Sequence, residues 1–212
     1  MSDLDNILTS FRILHEMFAD RGDYDLSSMN TYSDKEIELI MDASGYDKGS
    51  NGSIFQIRMN SKMKLIYHMK SKYMKGELQK FLNSIDDDED DINHVLFVFK
   101  EKINSNNEKN IKSLIAQYND KQGTNVKVEM FEIKNLLFNI TKHSYVPKHV
   151  KLNAKEAQEV FDRYSIKNKT QMPIIHKTDP VAKYYDFKPG DLIRIHRAST
   201  AIGESITYRY CV

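Results

Sequence analysis

Glu132-Ile133-Lys134 has the acid-x-lysine form that nucleases place on one strand of a metal-dependent active site. Such a site needs a second acidic residue on a neighbouring strand, because several oxygen ligands must hold Mg²⁺ against a phosphate. The preceding predicted hairpin, residues 54–69, contains no Asp or Glu. We therefore expect Glu132 and Lys134 to form a surface ion pair, and we assign no catalytic residue.

Metal binding is not favoured by the other candidate ligands. The carboxylates at 86–91 are contiguous and lack the alternating spacing of a calcium loop, so a solvated loop is the stronger interpretation. The seven histidines show no zinc-ligand spacing. A single cysteine, Cys211, excludes an internal disulfide and a cysteine-cluster zinc site. Cys211 ends a predicted strand, where we expect a buried structural thiol. No glycine-rich phosphate loop is present, so the sequence predicts neither metal nor cofactor.

A basic segment is the best candidate for contact with nucleic acid. Residues 58–80 carry seven basic side chains against one acid, Glu77, with two tyrosines between them. Such side chains contact phosphates without reading bases, so binding to duplex DNA should be weak and not sequence-specific. A solvated hairpin and helix face is an equally good interpretation. The DNA-proximal candidates in this segment are Arg58, Lys62, Lys64, Lys70, Lys72 and Lys75.

The elements that would position these residues alternate between helix and strand over the first 138 residues. Helical spacing and capping signals predict helices at 4–18, 33–45, 71–85 and 105–123. Ser33 and Ser105 are each followed three residues later by Glu, so each is expected to open a capping box. Alternating or continuous apolar runs predict strands at 54–59, 63–69, 95–99 and 126–130. This order indicates an α/β domain.

The remainder of the chain, 141–212, predicts a small α+β domain. Asn153 with Glu156 forms the Asn variant of the capping box, so a helix should follow. Asp179-Pro180 combines an N-cap with proline at the first helical position and predicts a second, shorter helix.

Strands complete this second domain. Pro189-Gly190 supplies a turn, and the apolar residues of 192–195 and 206–210 predict two paired strands. Pro173 lies inside the apolar segment 172–175 and removes one ladder donor, which suits an edge strand. An open apolar edge is either covered within the fold or paired with another chain.

Charge is distributed unevenly, although the formal net charge is only +1. Residues 146–212 carry 12 Lys/Arg against 7 Asp/Glu, whereas residues 1–145 carry 19 against 23. The basic surplus suits an acidic partner, but the near-neutral total is unusual for a free nucleic-acid-binding protein. No apolar run reaches the roughly 18 residues needed to span a bilayer, and the first residues do not resemble a signal peptide. We expect an intracellular protein without a membrane partner.

Short motifs in the C-terminal part resemble, in order and spacing, the shared fifth subunit of eukaryotic nuclear RNA polymerases and its archaeal counterpart. The matching pieces are 139–149, 163–164, 172–173, 179–182, 188–191, 193–195 and 208–209. Seven pieces in the right order are far more specific than any one of them. The resemblance continues more weakly over the first domain, where Asp20-Arg21-Gly22 followed by Tyr24 is similar to the family's opening motif. That domain is similar to the jaw domain, which eukaryotic members have and archaeal members lack.

The resemblance implies two domains. An α/β N-terminal jaw domain, described in the family as a truncated restriction-endonuclease-like core without catalytic residues, would occupy 1–140. A small α+β C-terminal assembly domain would occupy 141–212. The family's DNA-proximal loop corresponds to 104–107, which makes Ser105 and Asn106 further DNA-proximal candidates. The family's proline is missing from this loop.

The function implied is that of a non-catalytic structural subunit of a multisubunit DNA-directed RNA polymerase. Its partners would be the largest subunit, neighbouring small subunits and, weakly, downstream duplex DNA. The alternative is a stand-alone nuclease-like or nucleic-acid-binding protein. Abundant Asn and Lys suggest an AT-rich genome of a protist or a large DNA virus. The location would be the nucleus if the protein is cellular, and the host cytoplasm, viral factory or virion if it is viral. The expected partner-binding residues are Pro147, His149, Pro173, Ile175, Asp179, Pro180, Arg194, Arg197, Tyr208 and Arg209.

Overall fold

The structure, a computed structural model, describes residues 2–22, 32–44, 54–70, 76, 92–199 and 203–212. These residues form a mixed α/β fold in which each of two compact units holds a four-stranded sheet. The N-terminal unit takes Met1–Leu14 and Asp25–Phe138, and the C-terminal unit takes His15–Tyr24 and Asn139–Val212. The second half of the opening helix thus belongs to the C-terminal unit.

The elements of the N-terminal part follow the predicted order. The helices are α1 (Asp3–Arg21), α2 (Asp34–Ala43) and α3 (Ser105–Gln122), and a 3-10 turn spans Ile133–Leu136. The strands are β1 (Ile54–Asn60), β2 (Met63–His68), β3 (His94–Phe99) and β4 (Lys127–Glu132). The sheet order is β1-β2-β3-β4, with β1 antiparallel to β2 and the other two pairs parallel. The helix predicted at 71–85, apart from Gly76, and the acidic run at 86–91 lie outside the described residues.

Strand β3 is buried along its whole length, because both faces of the sheet are covered at its position. Phe97 packs in one cluster with Ile111 and Ile115 of α3. On the other face, the hydroxyl oxygens of Tyr67 in β2 and Ser10 in α1 lie 2.8 Å apart. Burial raises the pKa of Tyr67 above its ordinary value, against the effect of its bond to Ser10. A strand covered on both sides carries a continuous apolar run instead of an alternating one.

Helix caps are confirmed at α2 and corrected at α3. Ser33 and Glu36 form the complete predicted capping box. At α3 the N-cap is Asn104, whose side chain accepts a hydrogen bond from the Asn107 amide at 2.7 Å. The prediction that Ser105 caps this helix is wrong by one residue, since Asn is as good an N-cap as Ser. Ser105 is instead the first helical residue.

Besides the end of α1, the described residues of the C-terminal unit form four strands and two α-helices. The strands are β5 (Lys148–Lys151), β6 (Ile174–Ile175), β7 (Leu192–Ser199) and β8 (Gly203–Cys211). The helices are α4 (Ala154–Arg163) and α5 (Pro180–Tyr184), with 3-10 turns at Ile140–Lys142 and Lys169–Gln171. The predicted caps Asn153 and Asp179 are both present. The sheet order is β5-β7-β8-β6, so β6 lies at an edge. The presence of Pro173 in this segment had predicted an edge strand.

Each face of this sheet carries one helix. On the face that we call the α4 face, Val160 of α4 packs against Leu192. On the opposite side, the α5 face, Ala182 of α5 packs against Ile193 and Cys211. Cys211 is fully buried, which confirms the predicted structural thiol. Burial, followed by nearby Asp191, raises the pKa of this thiol. Among the described residues, no helix is both long and apolar enough to cross a bilayer.

Candidate partner-binding and DNA-proximal surfaces

Strand register divides the predicted partner-binding residues between the two faces of the C-terminal sheet. His149 pairs with Ile195 and Arg209 with Ile193, so both stand on the α5 face. Arg197 lies two residues beyond Ile195 on β7 and shares that face, because side chains alternate along a strand. Arg194 and Tyr208 pair with each other on the α4 face. Arg194 and Arg197, both expected to bind a partner, therefore lie on opposite faces of this sheet.

The residues that do come together form what we call the His149 surface. Its members are Pro147, His149, Asp179, Pro180, Arg197 and Arg209. The Nδ1 atom of His149 lies 2.7 Å from the Pro147 carbonyl oxygen. Because a carbonyl only accepts hydrogen bonds, Nδ1 carries the proton.

The charged members of the His149 surface lie close enough to His149 to affect its ionisation. Partial burial lowers the pKa of His149. The bond to Pro147 and the charge of Asp179 oppose that effect, while Arg209 and Arg197 add to it. Asp179 is fixed as the N-cap of α5, where its Oδ1 accepts from the Val181 amide at 2.9 Å. The surface is therefore built on a fixed carboxylate with two guanidinium groups around an imidazole.

A cavity of about 450 Å³ adjoins the His149 surface. Its lining includes Asp20 of α1, Lys142, Val146 and Tyr185, together with His149 itself. The mixture of carboxylate, ammonium, hydroxyl and apolar groups suits a partner side chain better than an apolar cofactor.

One predicted contact residue on the edge strand is wrong. Ile175 is buried at 3% exposure in the core below α5, whereas its neighbour Ile174 is 46% exposed. In a strand of two residues the side chains point to opposite faces, and the sequence did not indicate which isoleucine faces outward. Arg194 is also engaged within the unit, since its Nη2 lies 3.6 Å from Glu156 on α4.

Sequence reasoning missed the polar contacts that join α1 to α5. The guanidinium of Arg21 donates to the carbonyl oxygens of Tyr184, at 2.7 Å, and Lys183, at 3.0 Å. The Tyr184 hydroxyl donates to Asp20 at 2.6 Å. Arg21 thereby adds a charged donor to two carbonyls in the last turn of α5, the part of a helix whose carbonyls lack i+4 partners. Gly22 follows with a φ of +72°, which only glycine adopts without strain. The Asp20-Arg21-Gly22 motif was the available signal, but it did not indicate what it contacts.

Asn139 is a second residue with a role that the sequence did not indicate. Its side-chain amide nitrogen donates to Glu16 at 2.8 Å and to the Tyr184 hydroxyl at 2.9 Å. Its oxygen accepts from the Thr141 amide at 2.9 Å. The bond from Asn139, followed by the bond from Lys142, lowers the pKa of Glu16. Burial, reinforced by Asp20, raises the pKa of Tyr184.

The DNA-proximal candidates do not all lie on the surface. Lys62 is exposed in the turn between β1 and β2, and Arg58 and Lys70 are half-buried. Lys64 is buried at 5% exposure within β2, between β1 and β3, so its inclusion in a phosphate-contacting patch is wrong. Ser105 and Asn106 are exposed at the start of α3. The remaining two candidates, Lys72 and Lys75, lie outside the described residues.

The acid-x-lysine triplet is an ion pair, as predicted. Lys134 Nζ lies 2.7 Å from a carboxylate oxygen of Glu132. Within the ranges that the structure describes, no group of three or more His, Cys, Asp or Glu side chains is arranged to hold a metal ion. The arrangement found around Glu132 is therefore that of a structural pair.

Comparison with known proteins identifies a matching family model and several similar proteins. Residues 138–211 match the family model described as RNA polymerase Rpb5, C-terminal domain. The chain is 41% identical over 101 residues to the Dictyostelium discoideum protein named DNA-directed RNA polymerases I, II, and III subunit rpabc1. That match covers 48% of this chain and 50% of the relative. The chain is also 41% identical over 85 residues to subunit RPABC1 of Caenorhabditis briggsae and of Caenorhabditis elegans, with 40% of each chain covered.

The matches thus span about half or less of these curated relatives. The matched segment contains every strand of the C-terminal sheet and both of its helices. Residues 138–211 are therefore similar to the RNA polymerase Rpb5 C-terminal domain, and the comparisons with these relatives agree with that similarity.

Proposed function

We propose that the chain is a non-catalytic structural subunit of a multisubunit DNA-directed RNA polymerase. The observation that carries the proposal is the match of residues 138–211 to the Rpb5 C-terminal domain, together with relatives named as subunits of polymerases I, II and III. The C-terminal domain, at 141–212, docks on the largest subunit beside neighbouring small subunits. The His149 surface is the docking site, because it gathers six of the ten expected partner-binding residues.

The N-terminal domain, at 1–140, forms a lower jaw near downstream duplex DNA. Its β1–β2 hairpin, followed by parallel β3 and β4 with α3 between them, is compatible with a truncated restriction-endonuclease-like core. Contact with DNA is through phosphates only, at Arg58, Lys62, Lys70, Lys72, Lys75, Ser105 and Asn106. The protein works in the nucleus if it is cellular, or in the cytoplasm, viral factory or virion if a large DNA virus encodes it.

A stand-alone nuclease is the weaker candidate function. Glu132 is paired with Lys134 at 2.7 Å, and neither β1 nor β2 supplies a carboxylate that could join it around Mg²⁺. A free nucleic-acid-binding protein is disfavoured by a formal net charge of +1. Both observations favour a subunit whose catalytic activity belongs to its assembly.

Capture of the tagged full chain from cells that carry its gene tests the docking site. The exposed Arg197 is replaced by Glu, and Lys155→Glu, an exposed position on α4, serves as the matched control. We expect the wild type and the control to retain the largest polymerase subunit. Arg197→Glu should retain about tenfold less, equivalent to about 1.4 kcal/mol of lost binding free energy. Equal retention by all three proteins contradicts the assignment of the His149 surface.

A further inference from the structure

An apolar groove of about 500 Å³ opens on the α4 face, opposite the His149 surface. Its walls include Tyr164, Ile166, Met172, Pro173, Ile206 and Tyr208. Tyr164 is 57% exposed and Ile206 is 49% exposed, although both are large and apolar. The volume lies within the range of about 300–1,000 Å³ that is typical of ligand pockets. Two of the expected partner-binding residues, Pro173 and Tyr208, line this groove, but it lies outside the His149 surface proposed above as the polymerase docking site.

The open edge of β6 borders the groove. Tyr210 donates its amide to the Pro173 carbonyl at 2.8 Å, and Val212 donates to the Ile175 carbonyl at 3.0 Å. Carbonyl directions alternate along a strand. Because the carbonyls of Pro173 and Ile175 point towards β8, the carbonyl of Ile174 points away from it, to the open edge. Its carbonyl receives only a 3.5 Å contact from the Arg209 guanidinium. An extended peptide can therefore hydrogen-bond to this edge while one of its side chains enters the groove.

The basic residues around the groove favour a peptide that carries acidic side chains. Residues 163–178, which form one wall and lead into β6, contain Arg163, Lys167, Lys169 and Lys177 and no Asp or Glu. Lys169 Nζ lies 5.3 Å from the centre of the Tyr210 ring, which is on the same face of the sheet as Tyr208 of the groove. The acid nearest to Ile206 along β8, Glu204, is held by His196 at 2.6 Å. An apolar slot with a cationic wall complements an apolar side chain flanked by carboxylates.

We propose that this groove is a second docking site, which takes an extended segment of another protein carrying a large apolar side chain between acidic residues. The segment adds to the edge at Ile174, its apolar side chain enters the groove beside the paired rings of Tyr164 and Tyr208, and its carboxylates face Lys167 and Lys169. The site is separate from the His149 surface, so it goes beyond the proposed polymerase contact and can be tested on the free chain.

The test measures the fluorescence anisotropy of a labelled probe peptide with a Leu-Phe-Ile core flanked on both sides by Asp, titrated with the full chain. We expect saturable binding that weakens about tenfold in Ile206→Asp. Lys169→Glu should weaken the Asp-flanked probe and strengthen a probe that carries Lys in place of Asp. Lys155→Glu, on the exposed side of α4, should change neither. If circular dichroism shows that Ile206→Asp is unfolded, Ile206→Ser replaces it.

Several outcomes overturn the proposal. These are no binding to the wild type, equal binding of a probe whose core is Ser, or equal binding to the Ile206 variant. Sedimentation of the wild type without peptide distinguishes the competing occupant. A concentration-dependent dimer that disappears in Ile206→Ser, with no peptide binding, would assign the groove to a second copy of the chain instead.

Discussion

Ser165 takes the position after α4 at which helices most often carry glycine. Its φ is +51°, and the surrounding bonds are those of a Schellman motif. The Ile166 amide donates to the Phe161 carbonyl at 2.8 Å, and the Ser165 amide donates to the Asp162 carbonyl at 3.1 Å. The left-handed conformation costs a residue with a side chain about 1–2 kcal/mol.

Replacing Ser165 with Gly should therefore raise the free energy of unfolding by about 1 kcal/mol, after the larger chain entropy of glycine is subtracted. Urea denaturation followed by circular dichroism measures this change. Ser165→Ala is the matched control, because alanine keeps the strained conformation and should give no gain. A Gly variant no more stable than the Ala variant would show that the motif is not strained at Ser165.

Glu16 gives a pH-dependent contribution to stability with a definite sign. Bonds from Asn139 and Lys142 lower its pKa in the folded state, while the unfolded chain keeps a value near 4.3. A lowered folded pKa contributes stability above the unfolded pKa, which is lost as pH falls through the folded pKa. Glu16→Gln should therefore flatten the fall of unfolding free energy below about pH 4.3. If urea titrations of the two proteins at several pH values show parallel curves, Glu16 does not contribute in this way.

At the residue scale, the sequence was a better guide to which residues cap helices than to which side chains are exposed. Ser33, Asn153 and Asp179 act over a few neighbouring positions, so local spacing is enough to find them. The burial of Lys64 and of Ile175 depends on which strands lie beside them, and a pattern along one strand carries no such information.

At the element scale, α1 is a shared helix, since its second half is part of the C-terminal unit. Three side chains of that second half bind residues of the C-terminal unit that are more than 100 positions away: Glu16, Asp20 and Arg21. The helix itself and the positions of the strands along the chain were predictable from periodicity. These contacts were not, because no local rule links Arg21 to carbonyls more than 160 positions away.

Removing the Arg21 side chain should destabilise the C-terminal unit locally. Arg21→Ala removes the charged donor from two α5 carbonyls, and hydrogen bonds to charged groups contribute about 1.5–3 kcal/mol each. Because Arg21 is only partly buried, we expect hydrogen exchange at 139–142 and in α5 to accelerate by about tenfold.

Arg12→Ala is the matched control, since Arg12 lies on the same helix and pairs with the exposed Asp34 in the N-terminal unit. It should leave exchange at 139–142 unchanged. Equal acceleration by both substitutions would mean that Arg21 acts only through the stability of α1.

At the scale of the whole molecule, the formal net charge of +1 predicts a low affinity for duplex DNA. A chain that contacts phosphates through a few lysines binds duplex DNA weakly, and its affinity falls with salt because counterions are released. Reversing Lys62 and Lys70 to Glu should weaken binding equally for all sequences and reduce the slope of log affinity against log salt by about two. Anisotropy titrations over a salt series measure both quantities. Sequence-selective or salt-insensitive binding would contradict a contact through phosphates alone.

The most direct test of the polymerase assignment is whether material captured with the tagged chain synthesises RNA. The tagged full chain is captured from the cells, or infected cells, that carry its gene, and the washed material receives duplex DNA, nucleoside triphosphates and Mg²⁺. We predict RNA synthesis that depends on the template, is absent from an untagged control, and is not produced by the purified chain alone. Full recovery of the chain without RNA synthesis and without a large polymerase subunit would contradict the assignment.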